Sequence, residues 1–524
     1  GKGKTISNAE VFPLSSDSLP FSLAESFVCS LSRRFSGGFF VTSVFVKNKQ
    51  FKGGEAVKKY EIKFAEKALF FCKNVILLLF ALDIYKFYFE VSMTVAIVFL
   101  ITCVLFIALI LVKPSVEIKG HTVNIYYFPP LLGALSLIFL GEISLTEVIS
   151  GLTADSEINP IKILVLFLSM TLMSVFLDSV GFFRFLASYV LGHAKASQKS
   201  LFLWLYLIVS VLTVFTSNDI IVLTFTPFIC YFAHNAKIDA IPYLICEFVA
   251  ANTWSMALII GNPTNIYLMT GAGVSFIDYA VKMFIPTVLS GVVSFVILRL
   301  IFAKKLKKTF EASGEIAKIE DKTLTAVGVA HLAVCIALMV VSSYISLPMW
   351  VISFGCFISL FVCASAILLF RKQGLGKIGD TFKHAPYEII PFVLSMFVLV
   401  LALDKVGVTE KISEILSSTD TIFGYGIVSF FSANLINNIP MSVLFSSVTE
   451  TLTGAERLAA LYASVAGSNL GAFLTPVGAL AGIMWTALLK KHGEKLSFAR
   501  FIGYGEILAL PAMLAVMIGL KIVL

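Results

Sequence analysis

The stretch Thr216-Ser217-Asn218-Asp219 stands between two apolar runs, residues 201–215 and 220–232. An acid and an amide in so apolar a setting are costly, because neither hydrocarbon nor a helix backbone solvates them. Polar groups retained at membrane depth usually mark a binding site or an ion pathway. The stretch therefore predicts a helix break that serves transport.

A second polar break of the same kind lies late in the chain. The stretch Asn434-Leu435-Ile436-Asn437-Asn438-Ile439-Pro440 stands between the apolar residues 423–431 and 441–445. Two breaks in similar settings indicate one site built from two halves, as in many secondary transporters. We interpret the chain as organised around that site.

The composition is that of a polytopic membrane protein. Apolar residues make up 58% of the 524 positions, charged residues make up 14%, and the mean hydropathy is +0.93. A water-soluble domain could not carry so many apolar residues. Apolar runs of about 20 residues recur, which is the length that a helix needs to cross a bilayer. The predicted fold class is an all-α polytopic membrane protein.

Charge and cysteine content exclude several other classes. The net charge is +8, but Lys and Arg collect in loops between apolar runs, which is typical of cytoplasmic loops and not of a nucleic-acid surface. The eight cysteines include no CxxC pair and predict neither a disulfide framework nor a zinc site. We expect no cofactor other than a coupling ion. We also expect no enzyme activity, because no nucleophile or general-base pair lies at membrane depth.

The order of runs and loops predicts four segments. Residues 1–92 contain no Met and no Trp, and we interpret them as an atypical N-terminal extension or as a stretch that is not native. Residues 93–302 hold the first transporter repeat with its preceding helices, 303–322 form a basic cytoplasmic linker, and 323–524 hold the second repeat. We expect about ten spanning helices and two re-entrant hairpins in the plasma (inner) membrane.

Three sequence matches, in the same order and at similar spacing, indicate that the two halves arose by duplication. If each polar break is a hairpin that enters and leaves on one face, every basic loop falls inside the cell. The repeats then have inverted topology, and binding lies near the membrane midplane. The matches are Leu177-Asp178-Ser179-Val180-Gly181 with Leu403-Asp404-Lys405-Val406-Gly407, Asn218-Asp219 with Asn437-Asn438, and the block 252–261 with the block 469–478.

Each half offers a second break, at residues 261–265 in the first half and at residues 467–471 with 475–478 in the second. In these four breaks Gly and Pro unwind the helix, while Asn, Ser and Thr supply neutral donors and acceptors. Paired Asn residues could instead be interhelical hydrogen-bond partners, which are common in membranes, but their repetition beside Gly and Pro favours a site. Sodium is expected near Ser217, Asn218 and Asn437. The candidate substrate and ion ligands are Ser217, Asn218, Asp219, Asn252, Gly261, Asn262, Thr264, Asn265, Asn437, Asn438, Ser468, Asn469 and Thr475.

Asp219 is the only carboxylate within the four breaks, and it is the first candidate for carrying a proton or holding sodium. The alternative is that it caps the following half-helix, and the two roles are compatible. Glu247, in an otherwise apolar helix, is the second candidate for coupling. Asp178 and Asp404 each precede a Val-Gly turn, and we interpret them as caps or turn residues.

At these motifs the chain resembles the ion transporter superfamily, which includes arsenical pump permeases, sodium/proton antiporters and divalent-anion/sodium symporters. The resemblance covers residues 93–524. The motifs that carry it are Leu177-Asp178-Ser179-Val180-Gly181-Phe182-Phe183, Asn218-Asp219 with Leu223-Thr224-Phe225-Thr226-Pro227, Asn437-Asn438-Ile439-Pro440, and Leu470-Gly471 with Thr475-Pro476-Val477-Gly478.

The resemblance implies arsenite or antimonite efflux driven by the proton gradient, with a soluble ATPase partner in some members. It also implies an elevator motion of the hairpin domain against a scaffold. As partners we expect a small inorganic or carboxylate anion, the lipid bilayer and a second copy of the chain in a homodimer. Two departures from the permease leave other functions open. Gly261-Asn262-Pro263-Thr264-Asn265 is closer to the anion symporters, and Ser468-Asn469 replaces the expected Cys-Asp. The alternatives are a sodium-coupled symporter of citrate, dicarboxylate or sulfate, and a sodium/proton antiporter.

Overall fold

The computed structural model describes residues 93–112, 115–118, 121–154, 159–193, 197–270, 272–307, 309, 319–342 and 344–524. The expected N-terminal extension, residues 1–92, lies outside the described residues, as does much of the basic linker. The described chain is helical apart from one hairpin of two short strands, β1 (Ser115–Ile118) and β2 (His121–Asn124). The predicted all-α polytopic fold is confirmed.

The described helices fall into two sets of ten. The first set is α1 (Met93–Val112), α2 (Phe128–Phe139), α3 (Leu145–Thr153), α4 (Pro160–Ser179), α5 (Phe182–His193), α6 (Gln198–Phe215), α7 (Asn218–Asn235), α8 (Ile241–Trp254), α9 (Pro263–Thr270) and α10 (Phe276–Ile301). The second set is α11 (Lys322–Val340), α12 (Met349–Phe370), α13 (Gly376–Lys383), α14 (Ile389–Lys405), α15 (Val408–Ser417), α16 (Thr421–Ile436), α17 (Asn438–Val448), α18 (Gly454–Gly471), α19 (Leu480–Lys491) and α20 (Phe498–Val523).

The packing of the two sets is duplicated as well as their order. Helix α6 packs on α8 as α16 packs on α18, and α8 packs on α10 as α18 packs on α20. Between the sets, α2 packs on α14 as α12 packs on α4, and α9 packs on α17 as α19 packs on α7. The matches found in the sequence therefore correspond to equivalent places in the fold. The inverted topology stays a prediction. If α6 and α7 form a re-entrant hairpin, the helices of the first set cross the membrane an odd number of times, so the second set begins on the opposite side.

Seven of the described helices are long and apolar enough to cross a membrane: α1, α4, α6, α10, α11, α12 and α20. An eighth span is added if α14 and α15, which meet at a bend of 73°, count as one. The ten spans that we expected differ from these eight in two ways. They leave out α6, which we expected to be one arm of a hairpin, and they add α2 and the broken pairs α8–α9 and α18–α19. The difference arises because broken spans have no single long apolar helix, which is itself a mark of transporter folds.

Three stretches between the predicted spans, which we expected to be loops, contain short helices. Residues 141–159 hold α3, residues 178–200 hold α5, and residues 371–384 hold α13. These helices are too short to give an apolar run of membrane length. The start of α3 does carry a readable signal, because Ser144 and Glu147 form a capping box in which each side chain accepts from the other residue's backbone N–H.

Candidate functional site

Two helix breaks separate the arms of the predicted hairpins. Between α6 and α7 the chain leaves the helical conformation at Thr216, with φ −126° and ψ −136°, and is extended at Ser217. Between α16 and α17 the break is Asn437 alone, with φ 74° and ψ 155°. Both breaks are buried, so the helix ends that they expose are not solvated by bulk water.

Asn437 has a strained backbone that its side chain helps to hold. Its φ and ψ lie in a region that essentially only glycine populates, and such strain costs about 1–3 kcal/mol. Its amide Nδ2 donates to the carbonyl oxygen of Val477 at 2.8 Å, and its Oδ1 accepts from the backbone N–H of Ile439 at 3.3 Å. The side chain thus caps α17 and ties the hairpin tip to the break between α18 and α19.

This strain predicts an unusual order of stability at position 437. Both Asn437→Gly and Asn437→Ala lose the two side-chain hydrogen bonds, but only Gly relieves the strain. We therefore expect the Ala variant to be less stable than the Gly variant by about 1 kcal/mol or more. Thermal unfolding of the purified variants measures the difference. At Asn235, the exposed last residue of α7, there is no such strain, so the Gly and Ala variants should differ by less than about 0.5 kcal/mol. An Ala variant at 437 as stable as the Gly variant would contradict the strain.

The other two breaks interrupt the spans α8–α9 and α18–α19. Each contains a short 3-10 turn, Ile259–Gly261 in the first half and Pro476–Gly478 in the second. A Cβ at Gly261 would lie 2.3 Å from the backbone oxygen of Ser255, and one at Gly478 would lie 2.8 Å from Asn434 Oδ1. Glycine is therefore required at equivalent places in both halves. At position 261 the missing side chain lets the carbonyl oxygen of Ser255 pack against the backbone.

Asn469 of α18 joins the second half to the break of the first. Its Oδ1 accepts from Ser255 Oγ at 2.7 Å and from Asn262 Nδ2 at 2.8 Å. Its Nδ2 donates to Asn265 Oδ1 at 2.7 Å and to the carbonyl oxygen of Val465 at 2.8 Å. These four bonds use the full hydrogen-bonding capacity of an amide side chain. Asn469 is thus a cross-brace in this conformation, with no group left for a ligand.

Several other predicted ligands are also occupied by protein partners. Asn262 Oδ1 caps α9 by accepting from the backbone N–H of Thr264 at 3.1 Å. Asn265 Nδ2 donates to the carbonyl oxygen of Ser255 at 2.7 Å. Thr475 Oγ1 donates to Asn434 Oδ1 at 2.7 Å, which holds α16 against the second break. These side chains set the shape of the breaks.

Five of the predicted ligands present a buried oxygen that has no hydrogen-bond partner in the described part of the chain. A buried hydroxyl or amide oxygen without a partner is costly, so it is a good candidate for contact with a ligand. Hydroxyl groups can donate to an anion, and all of these oxygens can coordinate a hard cation such as sodium. They are Ser217 Oγ, Asn218 Oδ1, Thr264 Oγ1, Asn438 Oδ1 and Ser468 Oγ.

Asn218 also connects the first hairpin tip to α8. Its Nδ2 donates to Asn252 Oδ1 at 3.1 Å, and Asn252 Nδ2 donates to the carbonyl oxygen of Phe248 at 2.8 Å.

The three residues that we expected near sodium differ in what they offer. Ser217 Oγ and Asn218 Oδ1 have no hydrogen-bond partner among the described residues, whereas the Nδ2 and the Oδ1 of Asn437 both have one. Among the described residues, no group of three or more His, Cys, Asp or Glu side chains could hold a metal ion.

Asp219 lies in the first turn of α7, where the helix dipole favours a negative charge. Its side chain is half-buried, and no described residue hydrogen-bonds to it, so it does not act as a cap in this conformation. The phenol of Tyr126, in the turn before α2, lies within its electrostatic range. Burial, followed by the nearby carboxylates of Glu388 and Asp219, raises the pKa of Tyr126.

The acids at positions 178 and 404 make different contacts. Asp404 Oδ1 accepts from Thr409 Oγ1 at 2.5 Å across the turn between α14 and α15. Asp178 Oδ1 instead accepts from Thr224 Oγ1 of α7 at 3.2 Å. The turn interpretation therefore fits Asp404, whereas Asp178 links α4 to the first hairpin.

Two residues with a part in the site were not among the predicted ligands. Ser255 binds Asn469, and Asn434 binds Thr475 and the carbonyl oxygen of Gly471. Both were readable in the sequence, because Ser255 lies within the repeated block 252–261 and Asn434 opens the second polar stretch.

Comparison with known proteins gives one matching family and a group of named relatives. The family model described as citrate transporter, CitMHS, matches residues 75–467, so the match begins inside the stretch that we interpreted as an extension. The arsenical pump membrane protein of Escherichia coli (strain K12) is 26% identical over 374 residues, which cover 68% of this chain and 85% of that protein. A putative arsenical pump membrane protein of Bacillus subtilis is 25% identical over 409 residues, covering 71% and 89%. An uncharacterized transporter of Synechocystis is 26% identical over 411 residues, covering 73% and 88%.

Proposed function

This chain belongs to the CitMHS citrate transporter family, and from that premise we propose that it exports arsenite, antimonite or a related oxyanion in exchange for protons. It is a secondary transporter of anions, and the identity of the anion and of the coupling ion is the proposal. Relatives named as arsenical pump membrane proteins, matched over 85% or more of their length, support the choice of anion.

The observation that carries the proposal is the placement of Asp219. It is the one acid in the four breaks, it adjoins the open oxygens of Ser217 and Asn218, and no described residue bonds to it. An acid held at membrane depth without a fixed partner can gain and lose a proton as its surroundings change. Protonation of Asp219 would then be linked to occupation of the site beside it.

The chain's own residues suggest how the anion is held. Hydroxyl groups at Ser217, Thr264 and Ser468 can donate to an oxyanion, and the N-terminal ends of α7 and α17 add their dipoles. The bonds of Asn469 hold the two breaks together, so the donors keep their spacing. A homodimer and a soluble ATPase partner remain proposals.

A sodium-coupled importer of citrate or another carboxylate is the second candidate. The family description favours it, and so do the open, neutral oxygens of Ser217, Asn218, Asn438 and Ser468. Neutral oxygens suit a cation that needs several ligands. In that case Asp219 would belong to a sodium site.

Proteoliposomes with purified protein and no ATP distinguish the two candidates. Arsenite and citrate are each offered under an imposed pH gradient and under an imposed sodium gradient. We expect arsenite to move with the pH gradient and citrate to stay at the level of protein-free liposomes. Sodium-driven citrate uptake would replace the first proposal with the second, and movement of neither anion would overturn both.

A further inference from the structure

Glu247 is a fully buried acid on α8 that the proposed site does not use. The hydroxyl of Thr226 on α7 lies 2.9 Å and 3.1 Å from its two carboxylate oxygens. The indole of Trp485, on α19 of the second half, lies beside it. No charged side chain among the described residues forms an ion pair with Glu247. Its titratable neighbours are the thiols of Cys230 on α7 and Cys246 on α8.

An ionised carboxylate in this position would be very unfavourable. A buried charge with a single hydroxyl donor and no counter-ion costs several kcal/mol, so the group must be neutral or must bind a cation. The rings of Phe248, Trp485 and Phe501 pack against one another next to it, with centroids 4.9–5.7 Å apart. A metal cation would need several oxygen ligands, which these rings cannot supply. A proton needs only the carboxylate.

Asp219 and Glu247 both lie in the first half of the chain, and neither has an acid as its repeat partner. The repeat partner of Asp219 is Asn438, and extending the match of block 252–261 with block 469–478 backwards makes Ser464 the repeat partner of Glu247. Helices α7 and α8 join the two acids by two contacts, Asn218 to Asn252 near the hairpin tip and Thr226 to Glu247 deeper along both helices. An acid that duplication alone does not account for, bonded to Thr226 about two helical turns along α7 from the predicted coupling acid, suggests a role in coupling.

One face of α7 connects Glu247 to the end of the helix. Thr226, Cys230 and His234 are spaced by four residues, which places them on one side, with about 5–6 Å between successive Cβ atoms. Thr226 and Cys230 are buried and His234 is exposed. Steps of this length can each be bridged by one water molecule.

The outer end of this face meets a group of titratable side chains. Glu494 lies within electrostatic range of His234, His492 and Asp239, and Cys230 lies within range of both Glu494 and Glu247. Burial, followed by the nearby Asp239 carboxylate, raises the pKa of Glu494, while His234 and His492 oppose that rise. Such a group can exchange protons with water nearer to neutral pH than an isolated acid can. The basic loop 490–495 predicts that this end faces the cytoplasm.

We propose that Glu247 binds and releases a proton in each transport cycle and exchanges it with cytoplasmic water along the α7 face of Thr226, Cys230 and His234. The proton that leaves the Glu247 carboxyl passes to water at His234 and Glu494, and the carboxylate takes its next proton from Asp219, which exchanges protons with the opposite side of the membrane. This inference rests on the proposed proton-coupled transport and adds a second acid and its route.

The test measures proton movement and anion movement separately in proteoliposomes that contain a trapped pH-sensitive dye. An arsenite gradient drives transport, with citrate used if arsenite does not move. We expect Glu247→Gln to lower anion-driven proton movement by at least about tenfold, while exchange of labelled for unlabelled anion stays near wild type. Glu247→Asp should restore proton movement with a shifted pH profile. Glu410→Gln, which neutralises an exposed acid on α15, is the control and should change neither flux.

The outcomes separate this inference from the proposed function. A wild-type protein that moves neither anion overturns the proposed function, and this inference with it. A wild-type protein that couples protons to the anion while Glu247→Gln does so equally well overturns this inference alone. If Glu247→Gln does not fold, His234→Gln and Cys230→Val carry the test. Both variants should change how the transport rate depends on pH on the cytoplasmic side and leave its dependence on pH on the opposite side as in wild type. An unchanged dependence on cytoplasmic pH in both variants would overturn the route.

Discussion

Asp219→Asn is expected to reduce gradient-driven anion transport by about a hundredfold or more, since a proton carrier without a proton to exchange cannot couple the two fluxes. The amide is nearly isosteric with the acid, so the break at Thr216 and Ser217 should keep its shape. The variant should also be at least as stable as wild type, because no described residue hydrogen-bonds to the carboxylate and a half-buried charge is removed.

Asp178→Asn is the matched control for this prediction. Asp178 lies at the end of α4 and accepts one hydrogen bond from Thr224, so an amide oxygen can take its place. We expect a milder loss of transport. If Asp219→Asn transports normally with an unchanged ion dependence, the residue has no part in the mechanism. If Asp178→Asn is the more damaging change, the two acids have been ranked in the wrong order.

Asn469→Ala is expected to have the largest effect on stability. It removes four hydrogen bonds and leaves Asn262 Nδ2 and Asn265 Oδ1 without those partners in a fully buried place, whereas Ser255 Oγ can still donate to the carbonyl oxygen of Asn252 at 2.9 Å. Each buried polar group left unpaired costs about 1–3 kcal/mol, so the total should be about 2 kcal/mol or more. Thermal unfolding of the purified protein should show a midpoint several degrees lower than that of wild type.

Two further variants sharpen this test. Asn235→Ala changes an exposed amide and should shift the unfolding free energy by less than about 0.5 kcal/mol. Asn469→Asp keeps the oxygen that accepts from Ser255 and Asn262 but loses the NH2 group that donates two bonds. Its second carboxylate oxygen would face Asn265 Oδ1, so this variant should also be less stable than wild type. An Ala variant at 469 as stable as the one at 235 would show that Asn469 is not a cross-brace.

The fold was predictable from the sequence where the physical signal is local. Apolar runs of membrane length gave the long helices, and the Gly, Pro and Asn clusters gave the positions of all four breaks. The similar spacing of the matched motifs predicted which helices correspond, and the packing of α8 on α10 and of α18 on α20 repeats as expected. Helices α3, α5 and α13 were missed because none of them has an apolar run long enough to cross a bilayer.

The chemistry of the site was predictable only in part, since it depends on partners far apart in the chain. The sequence marks Asn469 and Asn218 as similar polar residues. The fold gives Asn469 four protein partners and leaves Asn218 Oδ1 with none among the described residues. The strained backbone of Asn437 also has no signal in the sequence, because Asn is common in ordinary turns as well.

The most direct test of the account is the balance point between opposing gradients of arsenite and protons. Proteoliposomes are prepared with a fixed pH gradient, the arsenite gradient is varied until the net arsenite flux is zero, and the measurement is repeated at several pH gradients. Proton-coupled export predicts that the balance point moves in proportion to the pH gradient, and that Asp219→Asn abolishes this dependence. A zero-flux point that stays at equal arsenite concentrations for every pH gradient would contradict the central claim.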